Sequence, residues 1–408
     1  MPVPARPSAP RALVIGSGIG GLTAAVALNQ GGWETTVLER AETLEPVGAG
    51  IGLAPNGQRA LDVIGLGDDI RELAAWQGGG GIRNPRGRWL SRVDSSAFAD
   101  RFGGPLVLVH RSTLIDRIAS RLPAGAVRTG TAAHLIDPGV PGGRPARVGV
   151  EGGELTADLV IAADGIHSAA RRALFPAHPG PVYAGFTAWR VVVPAAEHPF
   201  EPHETWGPGM LWGTQPLKDG RIYAYAAALT PPGGRADDEK AELLRRFGDW
   251  HDPVPAIIDT ATTDQVLRND VHHLKSPLPV FHKGRAVLLG DAAHAMTPML
   301  GQGGNQAIED AVVLAHHTAP DQDLGAALAA YSAERQPRTA AIVRKSAQVA
   351  RLLSLSNAPA LTVRETLMTL AAGLGSRAAV RAFDGIADWH PPQRTYADQA
   401  SDGRSAHR

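Results

Sequence analysis

The sequence predicts an α/β fold in which a parallel sheet carries an inserted antiparallel sheet and ends in helices. Three observations predict it. The runs Arg11–Ile15, Asp158–Ala162 and Arg285–Leu289 are each apolar after their first residue, the pattern of strands covered on both faces. From about Gly180 to His273 helical periodicity fades and aromatic residues concentrate, with alternation in Met210–Thr214 and Arg221–Ala227. Beyond Asn305 the pattern returns to helix.

At 408 residues the chain is too long for one simple core. The expected division is residues 1–179 together with 274–337, residues 180–273, and a C-terminal segment 338–408. Hydrophobic residues at 44% and charged residues at 20% suit a globular enzyme. A formal net charge of zero offers no footprint for nucleic acid. The absence of cysteine excludes disulfides, thiolate nucleophiles and iron–sulfur ligation, and suits a reducing cytoplasm. His272-His273 and His316-His317 are adjacent pairs whose side chains diverge, so no metal site is expected. The N-terminus is short and proline-rich, and no uncharged apolar run reaches a membrane span.

The elements follow in order. After Arg11–Ile15 comes a helix, Gly20–Gln30, stopped by Gly31-Gly32, then a strand, Thr35–Leu38, ending at Glu39. Val47–Pro55 reads as a glycine-rich loop into a helix, Asn56–Ile64. Leu106–His110 reads as a strand, with Ser112 capping a helix from Thr113 to Arg121. Short strands separated by turns fill Val127–Val150, and Asp158–Ala162 delivers Asp164-Gly165 at its carboxyl end. A helix from Glu239 to Trp250 covers the antiparallel region, and helices Asn305–His317 and Leu324–Arg335 follow the last buried strand. Past Arg338 the chain reads as helical with an apolar face, and a polar tail after Thr395 is expected to be disordered.

Each buried strand ends in a glycine-bearing motif. The first is Gly16-Ser17-Gly18-Ile19-Gly20-Gly21. Gly16 permits the tight turn, Gly18 lets a pyrophosphate approach the backbone, and Gly21 lets the helix pack on the strand. Free N–H groups and the helix dipole then attract phosphate. Glu39 falls where a ribose hydroxyl would be taken, completing a Rossmann-like dinucleotide fingerprint in its βαβ context. The second motif is Ala163-Asp164-Gly165-Ile166-His167-Ser168 with Arg171. The third is Gly290-Asp291-Ala292-Ala293-His294, followed by Pro298 and Gly301-Gln302-Gly303-Gly304-Asn305.

In this order the motifs resemble those of the FAD-dependent aromatic hydroxylases, the single-component (group A) flavoprotein monooxygenases. The resemblance runs from about Arg11 to about Arg338, and the Gly301–Asn305 loop is most similar to the salicylate hydroxylase and zeaxanthin epoxidase branch. It implies a p-hydroxybenzoate hydroxylase-like fold, with a Rossmann-like FAD-binding domain, an inserted antiparallel substrate domain and C-terminal helices. It implies that Gly16, Gly18, Ile19, Gly20, Gly21, Glu39 and Arg40 hold the adenosine half of FAD, with Gly48 to Ile51, Gly50 included, further along the cofactor. Arg111, in His110-Arg111, would reach the diphosphate or ribityl region, and Asp164 and Gly165 would meet flavin and incoming nicotinamide. Gly290 and Asp291 would take the ribityl chain. His294, Pro298, Gly301, Gly303, Gly304 and Asn305 would lie under the isoalloxazine, where N–H groups and a helix dipole face the charge of reduced flavin.

The implied reaction uses NADH or NADPH as a transient donor, with no second glycine fingerprint to hold it. One atom of O2 passes from a flavin C4a-hydroperoxide to an aromatic or electron-rich small molecule, and the other leaves as water. The pocket must be dry, and the aromatic-rich sheet suits one wall of it. Arg190, in Trp189-Arg190, joins His294 and Pro298 as the side chains expected nearest the chemistry. Met210 and Trp212 alternate onto one strand face, Tyr223 and Tyr225 onto another; either face suits substrate or core. No base on the substrate is assigned, His203 being the histidine considered. Alternatives are a flavin-dependent reductase or oxidase without oxygen insertion, and a non-catalytic flavin-binding regulator. A flavin halogenase is disfavoured, because the first two hundred residues hold no lysine. The expected partners are a small aromatic substrate and O2, with no nucleic acid, no membrane span, and a monomeric or homodimeric cytoplasmic protein.

Overall fold

Four parallel strands set the architecture. In the computed structural model Arg11–Ile15 lies between Glu34–Leu38 and Leu159–Ala162, and Ala286–Leu288 adds to the far side of the latter. Ile15 pairs with both Leu38 and Ala162, and Ala162 pairs with Leu288. The three motifs therefore leave the sheet from one carboxyl edge, the edge at which open α/β sheets bind ligands. The structure describes residues 9–44, 49–73, 75, 80–194, 200–373, 375 and 380–392; Gly48 and the tail after Thr395 lie outside them.

Helix Ile19–Gln30 is buried on every side from Ile19 to Leu28, consistent with its apolar circumference. It packs on the sheet and on helix Gly303–His317. Gly16 sits at φ +102°, where a side chain would be strained, and a Cβ there would stand 2.5 Å from the Ala163 carbonyl oxygen. A Cβ on Gly21 would stand 2.1 Å from the Gly16 oxygen. The first motif is thus pressed against both its own strand and the start of the second.

The antiparallel sheet has seven strands in the order Leu267–His273, Val182–Val193, Ile222–Leu229, Met210–Pro216, His203–Gly207, Gly80–Arg83 and Trp89–Val93. Its last two strands come from the segment expected in the first domain, because Gly80–Arg83 pairs in parallel with His203–Gly207 at an otherwise open edge. One face is covered by helices Glu239–Phe247 and Val254–Thr260, which bury Trp189, Val191, Trp212 and Ala224 against Phe247 and Ile257. The expected single helix over this sheet is these two, with Pro253 between them.

Three further expectations change. The supposed loop Val47–Pro55 contains a strand, Gly50–Leu53, which pairs antiparallel with Val107–His110. The next helix begins at Arg111 with His110 as its N-cap, and the Ser112 hydroxyl lies 2.5 Å from His110 Nδ1 instead of capping. Helix Leu324–Leu353 does not stop near Arg335 but runs through Pro337. Proline removes one backbone donor and crowds the carbonyl four residues back. Here the side chains of Arg335 before it and Thr339, Ile342 and Ser346 after it are buried, so tertiary packing outweighs the local cost.

Gly21→Ala is expected to lower stability by about 1–3 kcal/mol through overpacking. A Cβ on Gly18 meets nothing within 4 Å, so Gly18→Ala should change stability by less than about 0.5 kcal/mol. Urea unfolding of both variants checks the contrast.

Candidate active site

The motifs join end to end into one cleft. At one end the Glu39 carboxylate accepts from the Ser17 amide at 2.9 Å, the Ser17 hydroxyl at 2.7 Å and the Ala41 amide at 2.9 Å. These bonds outweigh partial burial and lower its pKa, so it is a carboxylate at neutral pH. Arg40 beside it is exposed. From Gly16 the path crosses Ala163 to Asp164, whose Oδ2 accepts from the Ala170 amide at 3.1 Å while its buried Oδ1 has no partner. Ser168 caps helix Ala169–Leu174, and Arg171 turns inward, donating to the carbonyls of Ile166 at 2.6 Å and Ala292 at 2.9 Å. Arg171 thereby ties the second motif to the third.

Asp291 and Arg111 come next. Both are accessible to solvent yet deeply walled by protein. Burial pushes the Asp291 pKa up against the pull of His294, Arg111 and Arg171. Burial lowers that of Arg111, against Asp291 and with Arg190. Arg190 projects from the antiparallel sheet, bonds Asn269 Oδ1 at 3.3 Å, and stands against the Tyr223 hydroxyl. A Cβ on Gly50 would lie 2.3 Å from the Tyr223 ring, so the Gly50–Leu53 strand closes over that ring. Ile51 in turn presses on Gly304.

Burial raises the Tyr223 pKa while Arg190 opposes it, and burial together with Glu204 raises that of Tyr225 well above the ordinary value. Both phenols are protonated at neutral pH. Tyr225 donates to Glu204 Oε1 at 2.7 Å, and Trp206 Nε1 donates to Glu204 Oε2 at 2.8 Å. Met210 and Trp212 do not share this face. Trp212 is 1% exposed, donates to Thr214 Oγ1, and packs with Met210 beneath the two covering helices. His203 lies on the covered side too, its ring 5.3 Å from that of His251. It does not reach the tyrosine face.

Beneath the third motif lies a polar network that the sequence reading missed. Asp310 accepts from the Gly290 amide at 3.0 Å, His294 Nε2 at 2.5 Å and Arg335 Nε at 2.7 Å. Glu309 takes Arg335 at 2.6 Å, Arg338 at 2.7 Å and Asn56 at 2.7 Å. Arg335, Glu309 and Asp310 are all fully buried. His294 and Arg335 hold the Asp310 carboxyl far below its usual range despite burial, and the two carboxylates raise Arg335 despite burial. The one available signal was the pair Glu309-Asp310 inside the otherwise apolar stretch Ala307–Ala315 of the helix. His294 is a strut here, and Asn305 another: its fully buried amide bonds Ala54, Gly52 and Gly301 at 2.8–3.0 Å. Its side chain is spent on protein. Pro298 is exposed and opens the short helix Pro298–Leu300 before Gly301.

The cleft fits a long, anionic, hydroxyl-bearing group. The backbones of Gly18, Gly165 and Gly301 border open space. Helices Ile19–Gln30 and Gly303–His317 carry no side-chain N-cap, leaving first-turn amides for acceptors. A Cβ on Gly303 would lie 3.9 Å from Asp291 Oδ1, and the buried Asp164 Oδ1 has no hydrogen-bond partner. Among the described residues no cluster suits a metal ion, and no helix is long and apolar enough to cross a membrane.

Comparison with known proteins agrees with this geometry. A family model described as an FAD binding domain matches residues 10–346. The chain is 39% identical over 361 residues to the aurachin C monooxygenase/isomerase of Stigmatella aurantiaca, covering 88% of this chain and 93% of that one. It is 35% identical over 385 residues to the 3-amino-4-hydroxybenzoate 2-monooxygenase of Streptomyces cremeus, covering 88% and 91%. Klebsiella pneumoniae HpxO, solved with FAD and uric acid, superposes with a TM-score of 0.81 at 28% identity, covering 91% and 97%. The chain belongs to the FAD-dependent aromatic hydroxylase family: it is an FAD-dependent monooxygenase, in a family whose typical electron donor is NAD(P)H. The reductase alternative is not favoured.

Arg335→Ala strands two buried carboxylates and is expected to cost about 3–5 kcal/mol, measured by urea unfolding. His203 gives a pH signature. Burial lowers its pKa from 6.5 to about 4, opposed by a bond to the Glu201 carbonyl and aided by Arg83 and His251. As pH falls, the unfolded chain takes the proton first, so this stability is full above about 6.5 and lost toward about 4. Between pH 7 and 4.5, His203→Gln should lose less stability than the parent, by about 2 kcal/mol.

Proposed function

We propose that the cleft hydroxylates a small aromatic or heteroaromatic compound carrying an acidic or carbonyl oxygen, which Arg190 and Tyr223 hold against the flavin. The observation that carries this is the position of Arg190, against the Tyr223 hydroxyl and within electrostatic reach of Arg111, which also feels the charge of Asp291. The names of the relatives support the substrate class: an aminohydroxybenzoate for one, uric acid bound in another.

In this reading Glu39 and the Ile19 helix start take the adenosine and diphosphate, Arg111 and Asp291 the middle of FAD, and Gly303 and Gly304 its pyrimidine edge. When bound, FAD supplies electron transfer from NAD(P)H and activation of O2. The chain supplies position, charge and dryness. Arg190 lowers the cost of an anionic oxygen on the substrate, and Tyr223, held protonated, donates to the same oxygen. The amides that open helix Gly303–His317 would turn its positive dipole end toward negative charge on the bound cofactor. Phe186, Trp206 and Tyr225 exclude water behind Tyr223. The parallel sheet is the cofactor-holding part and the seven-stranded sheet the substrate wall. A cytoplasmic monomer or homodimer completes the reading, supported by the absence of cysteine.

The test is NAD(P)H consumption by the FAD-loaded protein across phenols, aromatic acids and N-heterocycles, with mass analysis of products. One compound should raise consumption and gain one oxygen; peroxide in equal amount to NAD(P)H with every compound would overturn the reading. With that substrate, Arg190→Gln should lower kcat/KM about 10–100-fold, mainly through KM, and Tyr223→Phe about 5–20-fold, with FAD content unchanged.

A further inference from the structure

A cavity of about 210 Å³ lies between the segment Leu274–Phe281, the short helix Asp291–His294 and the middle of the long helix, Gln336–Arg344. It shares no residue with the Arg190–Tyr223 face. Its interior is apolar, formed by Leu274, Leu278, Phe281, Ala293, Ala340 and Val343. The polar groups of the wall are mostly spent: Gln336 donates to the Leu278 carbonyl at 3.2 Å, and the Thr339 hydroxyl donates to the Arg335 carbonyl at 2.9 Å.

Three groups remain. Lys275 and Arg344 line the cavity, are exposed, and have no hydrogen-bond or ion-pair partner among the described residues. His294 also lines it, is 4% exposed, and keeps a buried Nδ1 without a partner while its Nε2 is held by Asp310. No carboxylate lines the cavity to neutralise the two cations. An apolar interior with two unpaired cations matches a ligand with an apolar body and one negative charge. A cavity of about 150 Å³ holds benzene, so this one takes a single substituted ring or a short branched chain.

We propose that this cavity is a second ligand site, separate from the substrate cleft, for a small carboxylate with one ring or a short apolar chain. Its carboxylate sits between Lys275 and Arg344, and its apolar body reaches toward Phe281 and the ring of His294. A ligand there touches the residue that props Asp310, and through Asp310 the Gly290 amide.

The test is isothermal titration of the FAD-loaded protein with cyclohexanecarboxylate, a saturated acid that offers no aromatic ring to hydroxylate. Saturable binding at one site is expected. Ala340→Phe fills the cavity and should weaken binding at least about tenfold, and Lys275→Ala with Arg344→Ala should weaken it about tenfold. Cyclohexanecarboxamide, of the same shape without the charge, should bind at least about fivefold more weakly. Should Ala340→Phe fail to retain FAD, Val343→Phe fills the same space and reads the same way. The proposal falls if no saturable binding is seen, if a filled variant with an unchanged flavin spectrum binds as the parent does, or if the carboxamide binds equally well. Binding, not turnover, is read, so failure here leaves the proposed hydroxylation intact.

Discussion

The site hangs on one buried ionic knot, in which Arg335 spans Glu309 and Asp310 and Asp310 reaches His294 and the Gly290 amide. Burying three charges without exposure costs several kcal/mol per ion, and only close geometry with several hydrogen bonds to each carboxylate offsets it. That condition is met here: Asp310 has three donors, and Glu309 is met by Asn56, Gln306, Arg335 and Arg338. Replacing such a knot by apolar packing commonly preserves stability, so its use lies in what it fixes. It fixes the turn at Gly290, the ring of His294 and helix Gly303–His317.

The second constraint is register. Because Ile15, Ala162 and Leu288 end level, three loops from distant parts of the chain open at one edge without any long connection reaching across. Arg171 then locks two of these loops through their carbonyls, and Gly16 touches the second loop directly. Close backbone approach replaces side-chain contact along this seam. That is why its residues are glycine and alanine.

The antiparallel sheet divides its labour by face, as period-two alternation requires. Trp189, Val191 and Trp212 point to the helices and build a core, while Arg190, Tyr223 and Tyr225 point to the opposite face. Neighbouring residues on one strand therefore have unrelated roles. The long helix works in the same way along its length: Arg335 serves the knot, Ala340 and Val343 the second cavity, and Ser346 the loop at Thr297, to which its hydroxyl donates at 2.7 Å.

The sequence by itself determined the parallel strands, the three motifs at their ends and the family, because each depends on short-range patterns: apolar runs, glycine turns and a βαβ spacing. It also marked Arg190, Tyr223 and Asp291. It did not determine which face of Met210–Pro216 was core, since alternation names two faces and only the covering helices choose between them. Strand Gly80–Arg83 was invisible as a member of this sheet, because it joins through residues more than a hundred positions away, and Trp89–Val93 joins only by pairing with it. Asn305 and His294 carried the right motif, yet their roles as struts follow from partners on other elements. The helix expected to end at Arg335 runs on through Pro337, because tertiary packing outweighs the local cost. Local chemistry chose the motifs; long-range burial and pairing decided which side chains meet the cleft and which hold it in shape.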